Sequence, residues 1–198
     1  MCDSQREGST SRRNVLEVAI IDELLIKIAE AYTALGYGGK KKVSVGVISF
    51  YMSQVGELRH HVKELRKRPE FSALAIDVNT VDRFQGQEKN IIITSLVRNN
   101  KRGRASDYVT AFERINVAFS RAQNLLIIVG ARNTFAKLDV TLPNMKSTGS
   151  TTVPVYRNII DDLDRQAAFY GAEKVIPKDK EAAIMAAYEK ERVSYADR

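Results

Sequence analysis

The sequence predicts an α/β fold in which a parallel sheet carries helices on both of its faces. Two observations support this class. Apolar runs typical of buried strands alternate with segments of helical periodicity through most of the chain. A β-branched run closed by glycine, as in residues 124–129 before Gly130, is typical of a strand buried on both faces. Sites in such sheets form beyond the carboxyl ends of the strands, so functional side chains are expected there.

The predicted elements follow one another from residue 14 onward. The first helix covers residues 14–35, with either Ser11 or Asn14 as its N-cap. Its apolar stripe, at helical spacing, consists of Leu16, Ile20, Leu24, Ile28 and Tyr32. The predicted strands are residues 43–50, 74–78, 90–97 and 124–129. The further predicted helices are residues 53–67, 107–121, 132–138, 156–170 and 178–195.

Three parts of the chain differ in composition. Residues 1–138 are expected to form one α/β domain, which begins with a flexible, polar stretch. Residues 139–155 contain Pro143, Gly149 and a cluster of Ser and Thr, a composition typical of a mobile linker or loop. Residues 156–198 are expected to form a helical tail, which either packs on the domain or contacts another segment or partner.

Length and composition narrow the class of protein further. The chain has 198 residues, of which 44% are hydrophobic and 28% charged, which is typical of a globular protein with its own core. No apolar run is long enough to span a bilayer and no signal peptide is visible, so we expect no membrane partner and a cytoplasmic or nuclear location. A single cysteine, Cys2, excludes a disulfide framework and a cysteine-rich zinc site. The neighbouring His60 and His61 point in different directions, so no metal site is predicted.

The charge balance favours a polyanionic partner. The net charge is +7 and the isoelectric point is near 9.5, which favours nucleic acid over other partners. The basic segments 40–42 and 98–104 are candidate phosphate contacts, and the alternative is that they are solvated surface charges. The glycine-rich segment 36–42 is not a Walker A loop, because Lys41 stands where G-x-x-x-x-G-K-[ST] requires glycine.

Two motifs with a fixed order carry the functional prediction. Residues 80–88 read T-V-D-R-F-Q-G-Q-E and lead into an apolar strand, and residues 113–122 read E-R-I-N-V-A-F-S-R-A and lead into another. Together they resemble motifs V and VI of superfamily 1 helicases of the nonsense-decay and senataxin-like group, T-x-D-x-F-Q-G-x-E and R-x-N-V-A-x-[ST]-R-A. Weaker likenesses lie at residues 14–18, similar to N-x-x-E-[AV], and at residues 49–54, similar to motif IV. The resemblance covers residues 14–135 and implies a RecA-like fold, the second of two such domains in a helicase motor.

The resemblance also implies roles for residues on the nucleotide side. It makes Arg121 the arginine finger that reaches the γ-phosphate, and it aims Glu88 at the nucleotide. Arg114 stands seven residues before Arg121, so both are expected on one side of a single helix. We expect Arg114 to act as a supporting residue, in an ion pair with Glu88 or with Asp82. The remaining candidate nucleotide-side residues are Gly86, Gln85 and Gln54.

On the nucleic-acid side the candidates are Thr80, Asp82 and Arg98. Thr80 can offer a hydroxyl and a backbone N–H to a phosphate, as motif V of the family does. The implied partners are a single-stranded nucleic acid and the first RecA-like domain of the same polypeptide. The implied cofactors of the full-length enzyme, an ATP hydrolase, are ATP and Mg2+.

The sequence lacks both Walker motifs, and this determines what the chain is expected to do by itself. Without a Walker A loop or an acidic Walker B strand end, the chain holds neither cofactor alone and is expected neither to hydrolyse ATP nor to unwind nucleic acid. The alternative is a non-catalytic RecA-like module that binds nucleic acid or protein. The motor domain requires the guanidinium of Arg121 for ATP hydrolysis, whereas the non-catalytic module does not need it.

Overall fold

The computed structural model describes residues 3–5, 11–100, 102–143 and 149–196 of the chain. The strands among them are β1 (Asp3–Gln5), β2 (Arg12–Asn14), β3 (Val43–Ser49), β4 (Leu74–Thr80), β5 (Lys89–Ser95), β6 (Ala122–Val129), β7 (Val140–Pro143) and β8 (Ser150–Val153). The α-helices are α1 (Val15–Ala34), α2 (Met52–Leu65), α3 (Asp107–Thr110), α4 (Phe112–Phe119), α5 (Arg132–Phe135), α6 (Val155–Arg165) and α7 (Lys178–Ala196). Short 3-10 helices cover Pro69–Ala73, Val81–Phe84 and Ala172–Lys174.

A four-stranded parallel sheet forms the centre of the molecule, with the strand order β4-β3-β5-β6. Alternate residues of each strand point to opposite faces, so the sheet separates two apolar clusters. On one face, Val45 and Val47 of β3 pack in a cluster with residues of α1 and α2. On the other face, Ile48 and Ile92 pack in a cluster with residues of the 3-10 helix Val81–Phe84, of α4 and of α5. The predicted parallel sheet with helices on both faces is confirmed.

Helix α1 begins where the sequence predicts but buries a different face. The side chain of its N-cap, Asn14, accepts a hydrogen bond from the backbone N–H of Glu17 at 3.2 Å, which confirms one of the two expected caps. The fully buried apolar residues of α1 are Val18, Ile21, Leu25 and Ala29. The predicted stripe is only half-buried, because α1 is apolar on more than one side and periodicity alone cannot choose between the sides. Part of α1 contacts α7, where Lys180 forms an ion pair with Glu23.

Two predictions about the third quarter of the chain are wrong. Strand β6 lies at the edge of the sheet, and its Leu125 is 46% exposed, so this strand is not buried on both faces. The helix predicted over 107–121 is broken at Ala111, whose ψ of 118° is extended, and the second piece ends at Phe119. A bridge between Ala111 and Thr141 holds this break, and the sequence around it contains no proline or glycine.

The segment predicted to be a mobile linker is partly ordered. Strands β7 and β8 pair as an antiparallel hairpin, while residues 144–148 lie outside the described residues. Tyr156 at the start of α6 is buried, and its hydroxyl donates to the backbone carbonyl of Val109 at 2.6 Å. The first described part of the predicted tail therefore joins the core, and the proposed domain limits otherwise stay a prediction. At the other end of the chain, most of the predicted flexible start lies outside the description, although β1 pairs with β2.

Gly46 in β3 provides the space for an aromatic ring beneath the sheet. A Cβ atom at this position would lie 2.6 Å from Cδ1 of Ile92 and 2.8 Å from Cε1 of Phe84. We therefore expect Gly46→Ala to lower the free energy of unfolding by about 1–3 kcal/mol, because both neighbouring side chains are fully buried and must shift within a packed core. Chemical denaturation measures this change. The control is Gly56→Ala in α2, where an added Cβ meets nothing, and it should raise stability by about 0.5–1 kcal/mol. Equal effects of the two substitutions would contradict the packing described here.

The ion pair between α2 and α1 predicts a pH dependence of stability. Nδ1 of His61 lies 2.6 Å from Oδ2 of Asp22, and this hydrogen bond raises the pKa of His61. The charged imidazolium therefore stabilises the fold below the unfolded pKa near 6.5, and the effect is lost as pH rises through the raised folded pKa. His61→Gln should lower stability by about 1 kcal/mol or less at pH 5.5, and by less at pH 9. The neighbouring, exposed His60→Gln is the control, and a pH-independent effect of His61→Gln would contradict this role.

Candidate functional site

The segment that resembles motif V crosses the face of the sheet. It leaves β4 at Thr80, forms the 3-10 helix Val81–Phe84 and reaches β5 at Lys89. Val81 and Phe84 are buried, which fixes the segment against the sheet, while the polar residues that follow Phe84 are exposed. Gly86 has a φ of +77°, a conformation that favours glycine. Gly86 and its neighbour Gln85, both candidate nucleotide-side residues, are therefore open to solvent.

The two motifs meet where β5 and β6 begin. The backbone N–H of Lys89 donates to the carbonyl oxygen of Arg121 at 3.1 Å, and Nε2 of Gln123 donates to Oε2 of Glu88 at 3.3 Å. Glu88 and Arg121 therefore occupy adjacent positions at the amino ends of two paired strands. The sequence led us to expect functional residues beyond the carboxyl ends. That is correct for Thr80 and Arg98 but not for Glu88 and Arg121, because the motif V segment returns across the sheet face before Glu88.

Arg121 carries a charge that the described part of the protein does not neutralise. Helix α4 has already ended, so Arg121 does not share a helical face with Arg114, and the expectation of one common helix side is wrong. Its Nη2 donates to Oγ of Ser120 at 2.8 Å, and its buried Nε has no hydrogen-bond partner among the described residues. Within the same residues, no carboxylate lies within 4.0 Å of its guanidinium. A half-buried guanidinium in this state is suited to bind an added anion.

Arg114 links the two motifs by a side-chain contact. Its Nε donates to Oδ1 of Asp82 at 2.9 Å, so of the two expected carboxylate partners, Glu88 and Asp82, the structure selects Asp82. The guanidinium carbon of Arg114 lies 4.1 Å from the centroid of the Tyr108 ring, which is 53% exposed. The sequence did not indicate Tyr108, because it lies six positions before Arg114 and the two residues belong to different helices, α3 and α4.

Gln54 does not face the solvent. Its side chain is fully buried, and its Oε1 accepts the backbone N–H of Asn14 at 2.8 Å. Its Nε2 donates to Oγ of Ser95 at 3.0 Å and to the carbonyl oxygen of Asn14 at 3.2 Å. In this structure Gln54 therefore connects the start of α2 to the end of β5, and it has no open position for a direct nucleotide contact.

A buried carboxylate lies in the same network. Oε2 of Glu17 accepts hydrogen bonds from Oγ of Ser95 at 2.7 Å and from the backbone N–H of Val97 at 2.9 Å. Nδ2 of Asn14 donates to the carbonyl oxygen of Val97 at 2.9 Å. Val97 is fully buried and has a φ of +69°, which is strained for a β-branched residue. The network therefore holds both sides of the Val97 backbone in this conformation.

The network fixes the direction of the basic loop that follows β5. Arg98 comes directly after Val97, and its Nε and Nη2 donate to the carbonyl oxygen of Arg104 at 3.2 and 3.1 Å. Asn100 closes the loop further, since its side chain both donates to and accepts from the backbone of Arg104. Arg98 is half-exposed and lies beyond the carboxyl end of β5, at the same edge of the sheet as Thr80. The candidate residues are therefore divided between the carboxyl ends and the amino ends of the strands.

Comparison with known proteins identifies the family. Residues 1–133 match the AAA domain family. The chain belongs to this family. The domain is typical of the second domain of superfamily 1 helicases, and the fold described above is consistent with a RecA-like domain.

Several helicases are similar to this chain. The Schizosaccharomyces pombe proteins are helicase sen1, 38% identical over 62% of this chain, and the DNA replication ATP-dependent helicase/nuclease dna2, 34% identical over 57%. The probable helicase MAGATAMA 3 of Arabidopsis thaliana is 28% identical over 87% of the chain. The matched regions make up 7%, 8% and 18% of these three relatives respectively, so the chain spans less than a fifth of their length.

No group of three or more His, Cys, Asp or Glu side chains among the described residues is arranged to hold a metal ion. No helix in the described part of the chain has both the length and the apolar character needed to cross a membrane.

We expect Glu17→Ala to lower the free energy of unfolding by about 2–4 kcal/mol. The substitution leaves the Ser95 hydroxyl and the Val97 amide buried without their acceptor, and each such loss costs about 1–3 kcal/mol. Urea denaturation measures the change, with exposed Glu30→Ala on the same helix as the control. If the two variants were equally stable, the Glu17 carboxylate would not hold the Val97 backbone.

Proposed function

We propose that this chain is the second motor domain of an ATP-dependent superfamily 1 helicase or translocase and that it supplies the arginine finger. The observation that carries this proposal is that Arg121 occupies the strand position adjacent to Glu88 and that its guanidinium has no carboxylate partner within the described residues. Membership of the helicase-associated family supports it, as do relatives whose names describe helicases. A domain with a scaffold role alone would have no use for an unneutralised guanidinium at this position.

The residues at the amino ends of β5 and β6 would act on the nucleotide side. Arg121 would stabilise the negative charge that develops on the phosphoryl group transferred from ATP to water. Glu88 would orient groups near the nucleotide, and exposed Gly86 and Gln85 would allow the close approach of backbone and amide donors. Arg114, held by Asp82, would keep the motif VI helix in register with motif V. Gln54 would act at a distance, through the buried network.

The cofactors would be bound chiefly by another part of the motor. ATP and Mg2+ supply the reactive phosphoryl group and its charge-balancing cation. The present sequence contains neither Walker motif, so the first RecA-like domain of the same polypeptide would provide the phosphate cradle and the Mg2+ ligands. We therefore propose that the isolated chain is inactive as an ATP hydrolase.

The opposite edge of the sheet would grip a single-stranded nucleic acid. Thr80 offers its hydroxyl at the carboxyl end of β4, and Arg98 offers a half-exposed guanidinium beyond β5. Contacts of this kind read phosphates and not bases, so the binding would depend on salt and not on sequence. Asp82 is negatively charged and bound to Arg114, so its contribution to this grip would be to position the segment that carries Thr80.

The proposal predicts a selective effect of Arg121→Ala. In the polypeptide that joins this domain to a first RecA-like domain, we expect the steady-state rate of ATP hydrolysis to fall by about 10³–10⁵-fold. Binding of a single-stranded oligonucleotide, measured by fluorescence anisotropy, should remain within about threefold of the unchanged protein, because Arg121 lies at the other edge of the sheet from Thr80 and Arg98.

The matched control removes a charge without touching either motif. Arg157→Ala on α6 is exposed and should leave both measurements unchanged. A normal rate of ATP hydrolysis in Arg121→Ala would rule out the arginine finger and favour a non-catalytic binding module. ATP hydrolysis by the isolated chain would contradict the proposed need for a first domain.

A further inference from the structure

An open cleft of about 590 Å³ lies at the amino ends of β3 and β4, at the opposite ends of the strands from Thr80 and Arg98. Its cationic lining residues are Lys42, Arg66, Lys67 and Arg68. We call this surface the basic cleft. Its carboxylate lining residue is Asp77, which is already bound to Lys89. None of these residues belongs to the motifs that resemble those of helicases.

The fold brings the four cations together from two separate segments. Lys42 ends the glycine-rich turn and immediately precedes β3. The other three follow the last turn of α2, which connects the carboxyl end of β3 to the amino end of β4. The guanidinium of Arg66 donates to the carbonyl oxygen of Ile76 in the edge strand β4, so part of the cleft wall is fixed.

Stabilisation of the fold explains only part of the positive charge that lines the basic cleft. The C-terminus of α2 favours nearby cations, but the helix dipole there corresponds to only about half an elementary charge. Lys67 pairs with Glu64 and Arg68 with Glu70, both partly exposed ion pairs of the kind that contribute about 1 kcal/mol or less. Such pairs can exchange their carboxylate for a phosphate. Lys42 has no carboxylate partner within 4.0 Å among the described residues.

The shape and the chemistry of the basic cleft indicate its ligand. The cleft is open, so it fits a chain that passes through it better than a small enclosed molecule. Phe71, the aromatic residue in the described lining, is buried and offers no ring on which a base could stack. Lysine and arginine side chains in two short runs are suited to charge contacts with successive phosphates.

We propose that the basic cleft binds the phosphodiester backbone of nucleic acid, as a second contact distinct from Thr80 and Arg98. The proposal rests on the proposed nucleic-acid partner, but it is independent of the arginine finger. The amino end of β4, which lines the cleft, lies about 20 Å from Thr80 along the strand. It would therefore hold a part of the nucleic acid beyond the segment gripped at the carboxyl edge.

The test removes three charges from the cleft of the 198-residue chain. The cleft variant carries Lys42→Gln, Lys67→Gln and Arg68→Gln, and leaves Arg66 in place because it holds β4. Its affinity for a 30-nucleotide single strand is measured by fluorescence anisotropy at several salt concentrations. We expect about tenfold weaker binding, and a slope of log K against log salt that is shallower by about 2, since each lost phosphate contact removes about 0.7.

A charge-matched control separates a local contact from the general effect of net charge. It carries Lys27→Gln, Arg157→Gln and Lys174→Gln, three exposed positions outside the cleft, and should change affinity by less than about threefold. Equal effects of the two triple variants would overturn the proposal. So would equally strong competition by polyglutamate of the same total charge, because the cleft would then recognise an acidic polypeptide as well as a phosphodiester chain.

A third variant distinguishes this proposal from the proposed function. The double variant Thr80→Ala with Arg98→Ala should weaken oligonucleotide binding. If this variant weakens binding and the cleft variant does not, the proposed contact at the basic cleft is overturned while the proposed function stands. If the cleft variant does not fold, the contact is tested instead by acetylation of lysines in the unchanged protein. Bound oligonucleotide should protect Lys42 and Lys67 but not Lys27 and Lys174, and uniform reactivity would refute the contact.

Discussion

The connection between β4 and β5 is the constraint on which the site depends. Thr80 lies level with Ser49 of β3, and Lys89 lies two residues before Ile91, which pairs with Val45. The chain must therefore travel back by about 20 Å and pass over β3 in eight residues, whose full extension is only about 26–29 Å. A connection with so little slack has to lie flat on the sheet.

This constraint links groups at the carboxyl ends of the strands mechanically to groups at their amino ends. The same short connection carries Thr80 at one edge of the sheet and Glu88 at the other. Helix α4 contacts this connection, holds it through the ion pair of Arg114 with Asp82, and delivers Arg121 beside Glu88. A shift of α4 relative to the sheet would therefore move groups at both edges, which is the coupling that an ATP-driven translocase requires between nucleotide and nucleic acid.

Local patterns in the sequence predicted the type and order of most elements but not their surroundings. Periodicity identified β6 as a strand, yet strand order depends on the whole sheet, so the exposure of Leu125 could not be read from it. The break at Ala111 depends on a bridge to Thr141, and no local residue marks it. The ion pair of Arg114 was predicted as one of two alternatives, because motif order brings segments together without fixing which carboxylate faces the guanidinium.

The burial of Glu17 shows how a motif can serve function without touching a ligand. A carboxylate taken out of water is costly unless hydrogen bonds replace its hydration, and here Ser95, Val97 and Asn14 replace it. An apolar residue could fill the same volume, but it could not hold the Val97 backbone at a positive φ. The carboxylate therefore fixes the direction in which the chain leaves β5. That direction places Arg98 at the edge of the sheet where Thr80 lies, so a residue of α1 shapes the surface proposed to bind nucleic acid.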